Sequence, residues 1–176
     1  ASLYSHEWPL RNTWSGMVSR MDANVGGVVE ALRKAEMWEN TLFVFISDNG
    51  SPVSGWQPAG TNAPLRGGKS SLWEGGVRTV AVVAGGWLPT SRRGMKLRGL
   101  AHITDLYATF CSVAAGVGRG GHGCPHDNGP SPSDALDLSA WLRGAQRRSP
   151  RDFIVHGHQR LASGRAERLR ATQVGN

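Results

Sequence analysis

The pattern of apolar and polar residues predicts a helix and two strands in the first half of the chain. Between Trp14 and about Met37, apolar side chains recur at steps of three and four residues, which is typical of an amphipathic helix. Residues 41–47 and 80–84 are short apolar runs without alternation. Such runs indicate strands covered on both faces, as in a parallel sheet flanked by helices.

The second half of the chain carries a weaker set of signals. Thr104 is placed to cap a helix that continues to Ala114, residues 133–142 resemble a short capped helix, and residues 153–155 a short strand. Residues 116–132 are rich in Gly, Pro, His and Asn, which predicts a surface loop. Taken together, the order of helices and strands predicts an α/β fold.

Composition and charge narrow the class of partner. The chain has 176 residues, 39% of them hydrophobic, and a formal net charge of +7, which favours an anionic partner. Arginines are concentrated in the last thirty residues, but a basic tail is usually a solvated face, and we expect no nucleic-acid partner. No apolar run reaches the roughly 18 residues of a membrane span, so none is predicted.

The end of the first predicted strand carries the first candidate for chemistry. Asp48 and Asn49 offer hard oxygen ligands for Ca²⁺ or Mg²⁺, and Gly50 permits a sharp backbone turn. In open α/β sheets, ligands bind beyond the carboxyl ends of the strands. Two alternatives are an ordinary Asp-Asn-Gly turn and glycosylation of Asn49 in the sequon Asn49-Gly50-Ser51, which would exclude metal ligation.

A glycine-rich stretch at 64–78 carries the second candidate. Lys69 lies there as a compact cation suited to an anionic group, although a solvated loop lysine is an equally simple interpretation. Residues 63–70 also match a relaxed phosphate-binding loop, but we reject this because no strand precedes them directly and Gly75-Gly76 interrupt a following helix.

A zinc site is a further, weaker alternative. His122, Cys124 and His126 have suitable residue types, with Cys111 as a fourth ligand. Their spacing is wider than structural zinc usually shows. The two cysteines alone make no disulfide framework.

Five segments occur in a characteristic order and spacing, namely 17–22, 38–50, 65–78, 102–106 and 137–138. They resemble successive landmarks of the sulfatases in the alkaline phosphatase superfamily, and the pattern is most similar to arylsulfatase B-like enzymes. The resemblance implies a partial alkaline-phosphatase-like sandwich with a largely parallel sheet flanked by helices. It also implies that residues 1–156 are the C-terminal part of a catalytic domain and that residues 157–176 are a basic segment leading into a missing C-terminal region.

The resemblance further implies roles for individual residues. Asp48 and Asn49 would bind one Ca²⁺ ion, with the remaining ligands supplied by a missing N-terminal part, and Lys69 would contact the sulfate group as a substrate-binding and catalytic residue. Glu74 and Arg78 would hold the loop together. The substrate would be a sulfate ester, either an aryl sulfate or a sulfated glycan, and the family suggests a secreted or lysosomal-type compartment.

The family nucleophile is a formylglycine made from the cysteine of a Cys-x-Pro-Ser-Arg element. Neither Cys111 nor Cys124 is followed by that pattern, so we expect the isolated chain to be inactive. A non-catalytic module that binds anions or sulfated glycans is the main alternative. A relative that acts on phosphate esters remains a third interpretation.

Overall fold

The computed structural model describes residues 9–53, 60–115, 134–156 and 171–173. The chain divides into two compact units, residues 1–87 and 88–176. In the first unit the elements are α1 (Pro9–Lys34), a 3-10 turn at Trp38–Asn40, β1 (Phe43–Ile46), α2 (Glu74–Val77) and β2 (Ala81–Ala84). In the second they are a 3-10 turn at Thr90–Arg92, α3 (Asp105–Ala115), α4 (Ser139–Arg143), β3 (Phe153–Val155) and β4 (Ala171–Gln173).

Helix α1 confirms the predicted amphipathic helix, which begins earlier and ends earlier than the pattern indicated. Two hydrogen bonds follow the end of the helix: the Met37 amide donates to the Leu32 carbonyl, and the Glu36 amide donates to the Arg33 carbonyl. Glu36 has a φ of 58°, the left-handed conformation that ends many helices. The apolar stripe is exposed over much of its length, with Met17 at 66% and Val28 at 52% exposure.

Strands β1 and β2 form an antiparallel pair in which Phe43 lies opposite Ala84 and Ile46 opposite Ala81. The Ser47 amide extends the pairing by donating to the Val80 carbonyl at 3.0 Å. Both predicted strands are confirmed, but a largely parallel sheet is not seen, since both pairs of described strands are antiparallel.

The expectation that β1 and β2 are covered on both faces is wrong for the described residues. Ile46 is 37% exposed and Val82 is 49% exposed. An apolar run shows only that both faces suit burial. The groups that would cover β1 and β2 are not among the described residues.

The first unit has no buried hydrophobic side chain among residues 11–53 and 60–87, over which exposure is described. Its buried positions are glycines, namely Gly68, Gly75, Gly76 and Gly85. Close backbone contacts at these glycines therefore contribute to the order of this unit. None of the helices in the described part of the chain is long and apolar enough to cross a membrane.

The second unit has a small hydrophobic core, formed by Leu88, Leu138, Trp141, Leu142 and Ile154. Arg92 secures the end of α4, since its Nε donates to the Leu142 carbonyl at 3.0 Å and its Nη2 to the Trp141 carbonyl at 2.8 Å. The helix then ends at Gly144, whose φ of 86° is left-handed.

Helix α4 is shorter than predicted because Asp137 reorganises its start. The Asp137 carboxylate accepts hydrogen bonds from the Ser139 amide at 2.8 Å and from the Ser139 hydroxyl at 3.0 Å. A side chain that bonds to nearby backbone amides in this way favours the first residues of a helix. It also offers the preceding backbone an alternative to helical hydrogen bonds. Residues 134–138 are accordingly not helical.

A buried ion pair connects the elements of the second unit. The Asp105 carboxylate, wholly buried, accepts hydrogen bonds from Arg151 Nε at 2.8 Å and Nη2 at 2.5 Å. It also accepts from the backbone amides of His102 and Leu136. With four donors around its two oxygens, Asp105 has the partners that a buried charge requires.

Helix α3 confirms the predicted helix, but Thr104 makes a contact other than the expected cap. Thr104 Oγ1 lies 2.9 Å from Nδ1 of the His102 ring. Within α3, the Thr109 hydroxyl donates to the Asp105 carbonyl and accepts from the Leu138 amide, so it ties α3 to the segment before α4.

The remaining predictions concern the ends of the second unit. Strand β3 confirms the predicted short strand, and it pairs antiparallel with β4, which no sequence signal indicated. The predicted loop at 116–132 lies outside the described residues. So does the basic segment 157–176, apart from residues 171–173.

The ion pair also shifts the pKa values of Asp105 and Arg151. Burial raises the pKa of Asp105, but the hydrogen bonds from Arg151 and from the two backbone amides outweigh burial and lower it overall. The hydrogen bond to Asp105 raises the pKa of Arg151. Asp105 therefore stabilises the fold in its charged form.

We expect Asp105→Ala to destabilise the second unit by about 3–5 kcal/mol, because it leaves the Arg151 charge buried without its partner. Since the pKa of Asp105 is lowered from 3.8, its contribution is present above about pH 4 and is lost as the pH falls further. Urea unfolding at pH 7 and pH 3, with hydrogen exchange of α3 and α4 amides, measures both effects.

The control is Asp152→Ala, which removes an exposed carboxylate next to Arg151 in the sequence. This variant should unfold close to wild type at both pH values. A wild-type unfolding midpoint for Asp105→Ala at pH 7 would show that the ion pair does not hold the unit together.

Candidate functional site

The turn that follows β1 presents the two candidate metal ligands. Asp48 is exposed and Asn49 is half-buried. The Asn49 amide donates to Asp48 Oδ1 at 2.8 Å, and the Ser47 hydroxyl donates to the Asn49 carbonyl at 3.0 Å. The turn is thus held by its own polar groups, which leave the Asp48 carboxylate at the surface.

The loop that carries Lys69 lies directly against this turn. The Lys69 backbone amide donates to the Ser51 carbonyl at 3.2 Å, and the Lys69 side chain is exposed. Ser70 has a φ of 71° and Gly67 a φ of 79°, so the loop makes two left-handed steps around Lys69. The structure therefore brings Lys69 onto a segment next to Asp48 and Asn49, which precede it by 21 and 20 residues in the sequence.

Glycines let these segments meet backbone to backbone. The Gly50 amide donates to the Gly76 carbonyl at 3.0 Å, and the Gly75 amide donates to the Arg66 carbonyl at 2.7 Å. A Cβ atom on Gly50 would lie 1.7 Å from the Gly75 carbonyl oxygen, and one on Gly75 would lie 2.2 Å from the Gly67 oxygen. No other residue type fits such contacts without displacing the backbone.

Asn62 joins the same segments through its side chain. Its Oδ1 accepts from the Ser51 amide at 2.8 Å, and its Nδ2 donates to the carbonyls of Ser51 at 2.7 Å and Gly67 at 3.1 Å. Sequence reasoning missed this residue, because an asparagine in a Gly- and Pro-rich loop carries no local signal of such contacts.

Two surface contacts flank the loop. The Arg66 guanidinium lies 3.8 Å from the centre of the Trp73 ring. Arg78 Nη1 lies 3.5 Å from Glu74 Oε2, and both side chains are well exposed. An exposed pair of this kind contributes at most about 1 kcal/mol, so Glu74 and Arg78 fasten the ends of α2 only weakly.

Asp48 and Asn49 fit part of a calcium site by the chemistry of their oxygens. Calcium takes roughly six to eight oxygen ligands, and two neighbouring residues supply only a fraction of them. Within the described ranges, no group of three or more His, Cys, Asp or Glu side chains is placed to hold a metal. A complete site would therefore need ligands from outside these ranges.

The structure also gives contacts relevant to the three alternatives, namely glycosylation of Asn49, a phosphate-binding loop and a zinc site. Asn49 Nδ2, the atom that a glycan would occupy, donates to the Gly50 carbonyl at 2.9 Å. Residues 60–62, just before the rejected phosphate-binding match, are not strand, and α2 begins only at Glu74. Residues 122–126 of the zinc alternative lie outside the described residues, and Cys111 is disulfide-bonded, so its sulfur is not a thiolate ligand.

Comparison with known proteins shows which family and which relatives the chain resembles in sequence. Residues 2–117 match the family described as Sulfatase. The chain is 37% identical to arylsulfatase J of Mus musculus over 107 residues, covering 60% of the chain and 17% of that protein. It is 32% identical to steryl-sulfatase of Mus musculus over 152 residues, covering 84% of the chain and 23% of that protein.

A third relative is N-acetylgalactosamine-6-sulfatase of Sus scrofa, which is 34% identical over 156 residues, covering 87% of the chain and 27% of that protein. The chain thus spans about a quarter or less of the length of these curated relatives. The family resemblance inferred from the sequence motifs is confirmed.

Proposed function

The chain belongs to the sulfatase family, and we propose that it is the C-terminal part of a catalytic domain that hydrolyses sulfate esters. One observation carries the proposal: backbone hydrogen bonds join the turn of Asp48 and Asn49 to the loop of Lys69. Potential metal ligands and a cation for an anionic group thereby lie on adjoining segments. That combination suits a sulfate ester, whose reacting group is an anion.

In this proposal Asp48 and Asn49 supply two of the oxygen ligands of one Ca²⁺ ion, and the rest of the domain supplies the others. Asp48 contributes a negative charge, and Asn49 contributes a neutral carbonyl oxygen. When bound, the ion would act as a Lewis acid toward the sulfate oxygens. The exposed position of Asp48 and the fixed backbone of the turn support this role.

Lys69 would contact the sulfate group and act on the reacting atoms. Its ammonium group is a compact cation that stabilises negative charge as it develops in the transition state. The Lys69 backbone is fixed by the bond to Ser51, so little reorganisation of the loop is needed when substrate binds. The formylglycine nucleophile would come from the part of the enzyme that lies before this chain.

The domain assignment extends the proposal to the whole chain. Residues 1–156 would complete a sandwich with a largely parallel sheet, and residues 157–176 would lead into the C-terminal region. The exposed apolar side chains of α1, together with Ile46 and Val82 of the strands, support this, because they are suited to burial against further elements. The disulfide at Cys111 supports an oxidising, secreted or lysosomal-type compartment.

The alternative is a non-catalytic module that binds anions or sulfated glycans. The net charge of +7 favours it, since a basic surface attracts anions without doing chemistry. The upstream coding sequence separates the two. A Cys-x-Pro-Ser-Arg element there supports the enzyme, and its absence supports the binding module.

In the full-length enzyme, we expect Asp48→Ala to lower calcium affinity and sulfate ester hydrolysis together, because it removes an anionic ligand from a hard-cation site. Calcium titration by calorimetry and an aryl sulfate assay measure the two effects. Glu30→Ala is the control, since it removes an exposed carboxylate from α1. Unchanged calcium affinity, or a glycopeptide with sugar on Asn49, would contradict the ligand assignment.

We expect Lys69→Ala to reduce turnover of the full-length enzyme roughly 100-fold, as loss of one preorganised electrostatic group often does. Lys69→Arg should rescue poorly, because a guanidinium is planar and bulkier than an ammonium group. Steady-state kinetics measure both variants. Lys96→Ala, which removes an exposed cation elsewhere, should remain close to wild type. Wild-type rates in both Lys69 variants would make Lys69 a solvated loop residue.

Expressed by itself, the chain of residues 1–176 should show no turnover of an aryl sulfate and only weak calcium binding, because it contributes two ligands and no nucleophile. The exposed apolar side chains of α1, such as Met17 and Val28, should favour association. Circular dichroism, analytical ultracentrifugation and an aryl sulfate assay provide the test. Metal-dependent turnover by a cooperatively folding monomer would show that the catalytic residues lie elsewhere in this chain.

A further inference from the structure

We propose that Asn62 is a positioning residue for Lys69: its side-chain amide fixes the backbone of Ser51 and Gly67 next to the lysine and so sets where the lysine meets an anion. This inference rests on the proposed function of Lys69. Asn62 lies in the loop before Lys69 and is half-buried. It belongs to none of the motifs that carry the family resemblance.

The bonds of Asn62 to Ser51 resemble those between paired strands. Asn62 Oδ1 accepts from the Ser51 amide at 2.8 Å, and Asn62 Nδ2 donates to the Ser51 carbonyl at 2.7 Å. One side chain thus binds both backbone groups of a residue 11 positions away. In an antiparallel sheet, a residue of the neighbouring strand makes this double contact.

Two further contacts connect Asn62 to the lysine. The Ser51 carbonyl that accepts from Asn62 also accepts from the Lys69 backbone amide, at 3.2 Å. The same Asn62 nitrogen donates to the Gly67 carbonyl at 3.1 Å, two residues before Lys69. Asn62 therefore holds both the carbonyl that receives the Lys69 amide and the chain that leads into Lys69.

The hydrogen-bond capacity of Asn62 argues against direct contact with substrate. An asparagine amide nitrogen has two hydrogens, and here they are directed to the carbonyls of Ser51 and Gly67. The amide oxygen already accepts from the Ser51 backbone. Asn62 would thus act through the position of Lys69, while Lys69 itself touches the anion.

Removing the Asn62 amide leaves three backbone groups of Ser51 and Gly67 without their side-chain partner. The loop backbone would then have more freedom, and Lys69 would sample positions away from the anion. A displacement of about 1 Å in a positioned group can reduce a rate roughly 100-fold. The loss should appear in anion binding and turnover, because both use the same lysine.

The test is a double-mutant cycle in the full-length enzyme with Asn62→Ala, Lys69→Ala and the double variant. Calorimetry gives the affinity for inorganic sulfate, and steady-state assays give kcat and KM for an aryl sulfate. We expect Asn62→Ala to weaken sulfate binding and lower kcat/KM roughly 10- to 100-fold. The double variant should be no worse than Lys69→Ala alone, because the two residues act as one unit.

Controls separate positioning from a general loss of structure. Asn40→Ala removes an exposed asparagine at the other end of β1 and should bind sulfate like wild type. If Asn62→Ala does not fold, Asn62→Ser replaces it, because a hydroxyl can still satisfy one Ser51 group. Folded Asn62→Ser should lose sulfate affinity by an intermediate factor, and the loss should disappear in the Lys69→Ala background.

The outcomes distinguish this inference from the proposed function. If Lys69→Ala retains wild-type sulfate affinity and turnover, the proposed function fails and the inference falls with it. If Lys69→Ala is impaired but the effect of Asn62 adds fully in the double variant, only the positioning role is overturned. Wild-type sulfate affinity in a folded Asn62 variant overturns it as well.

Discussion

The close contact between Gly50 and Gly75 is the constraint on which the candidate site depends. A Cβ atom at Gly50 would lie 1.7 Å from the Gly75 carbonyl oxygen, so the two backbones meet with no side chain between them. This contact holds the strand end, the lysine loop and α2 in one cluster. Since the cluster is built from backbone groups, the side chains of Asp48 and Lys69 remain at the surface to bind other groups.

The two units achieve order by different means. The second unit has a hydrophobic core and the buried pair of Asp105 and Arg151, whose partners satisfy one another within the unit. In the first unit, the described side chains offer no buried hydrophobic residue, and apolar residues such as Met17 and Val28 are exposed. Backbone hydrogen bonds contribute only about 1 kcal/mol each on average, so burial of the exposed apolar residues against another element would add to the stability of this unit.

The sequence was sufficient to predict elements whose signal is local. The helix of α1 and the strands β1, β2 and β3 follow from short-range periodicity and residue type. The direction of pairing did not follow, because an apolar run is compatible with parallel and antiparallel neighbours. The pair of Asp105 and Arg151 was also missed, since its partners lie 46 residues apart and neither residue belongs to a periodic pattern.

The difference between local signals and long-range contacts also explains which candidate residues the sequence could indicate and which one it could not. Asp48, Asn49 and Lys69 could be singled out because the chemistry of each side chain is apparent from its type and from the resemblance. Asn62 could not, because its role consists of contacts with Ser51 and Gly67.

A lysine on a flexible loop is only a solvated charge, whereas a lysine whose backbone is held by hydrogen bonds can present that charge within a smaller region. In the proposed site, the glycines that permit close approach and the asparagine that binds the approaching backbone would therefore matter for sulfate recognition as well as the lysine itself.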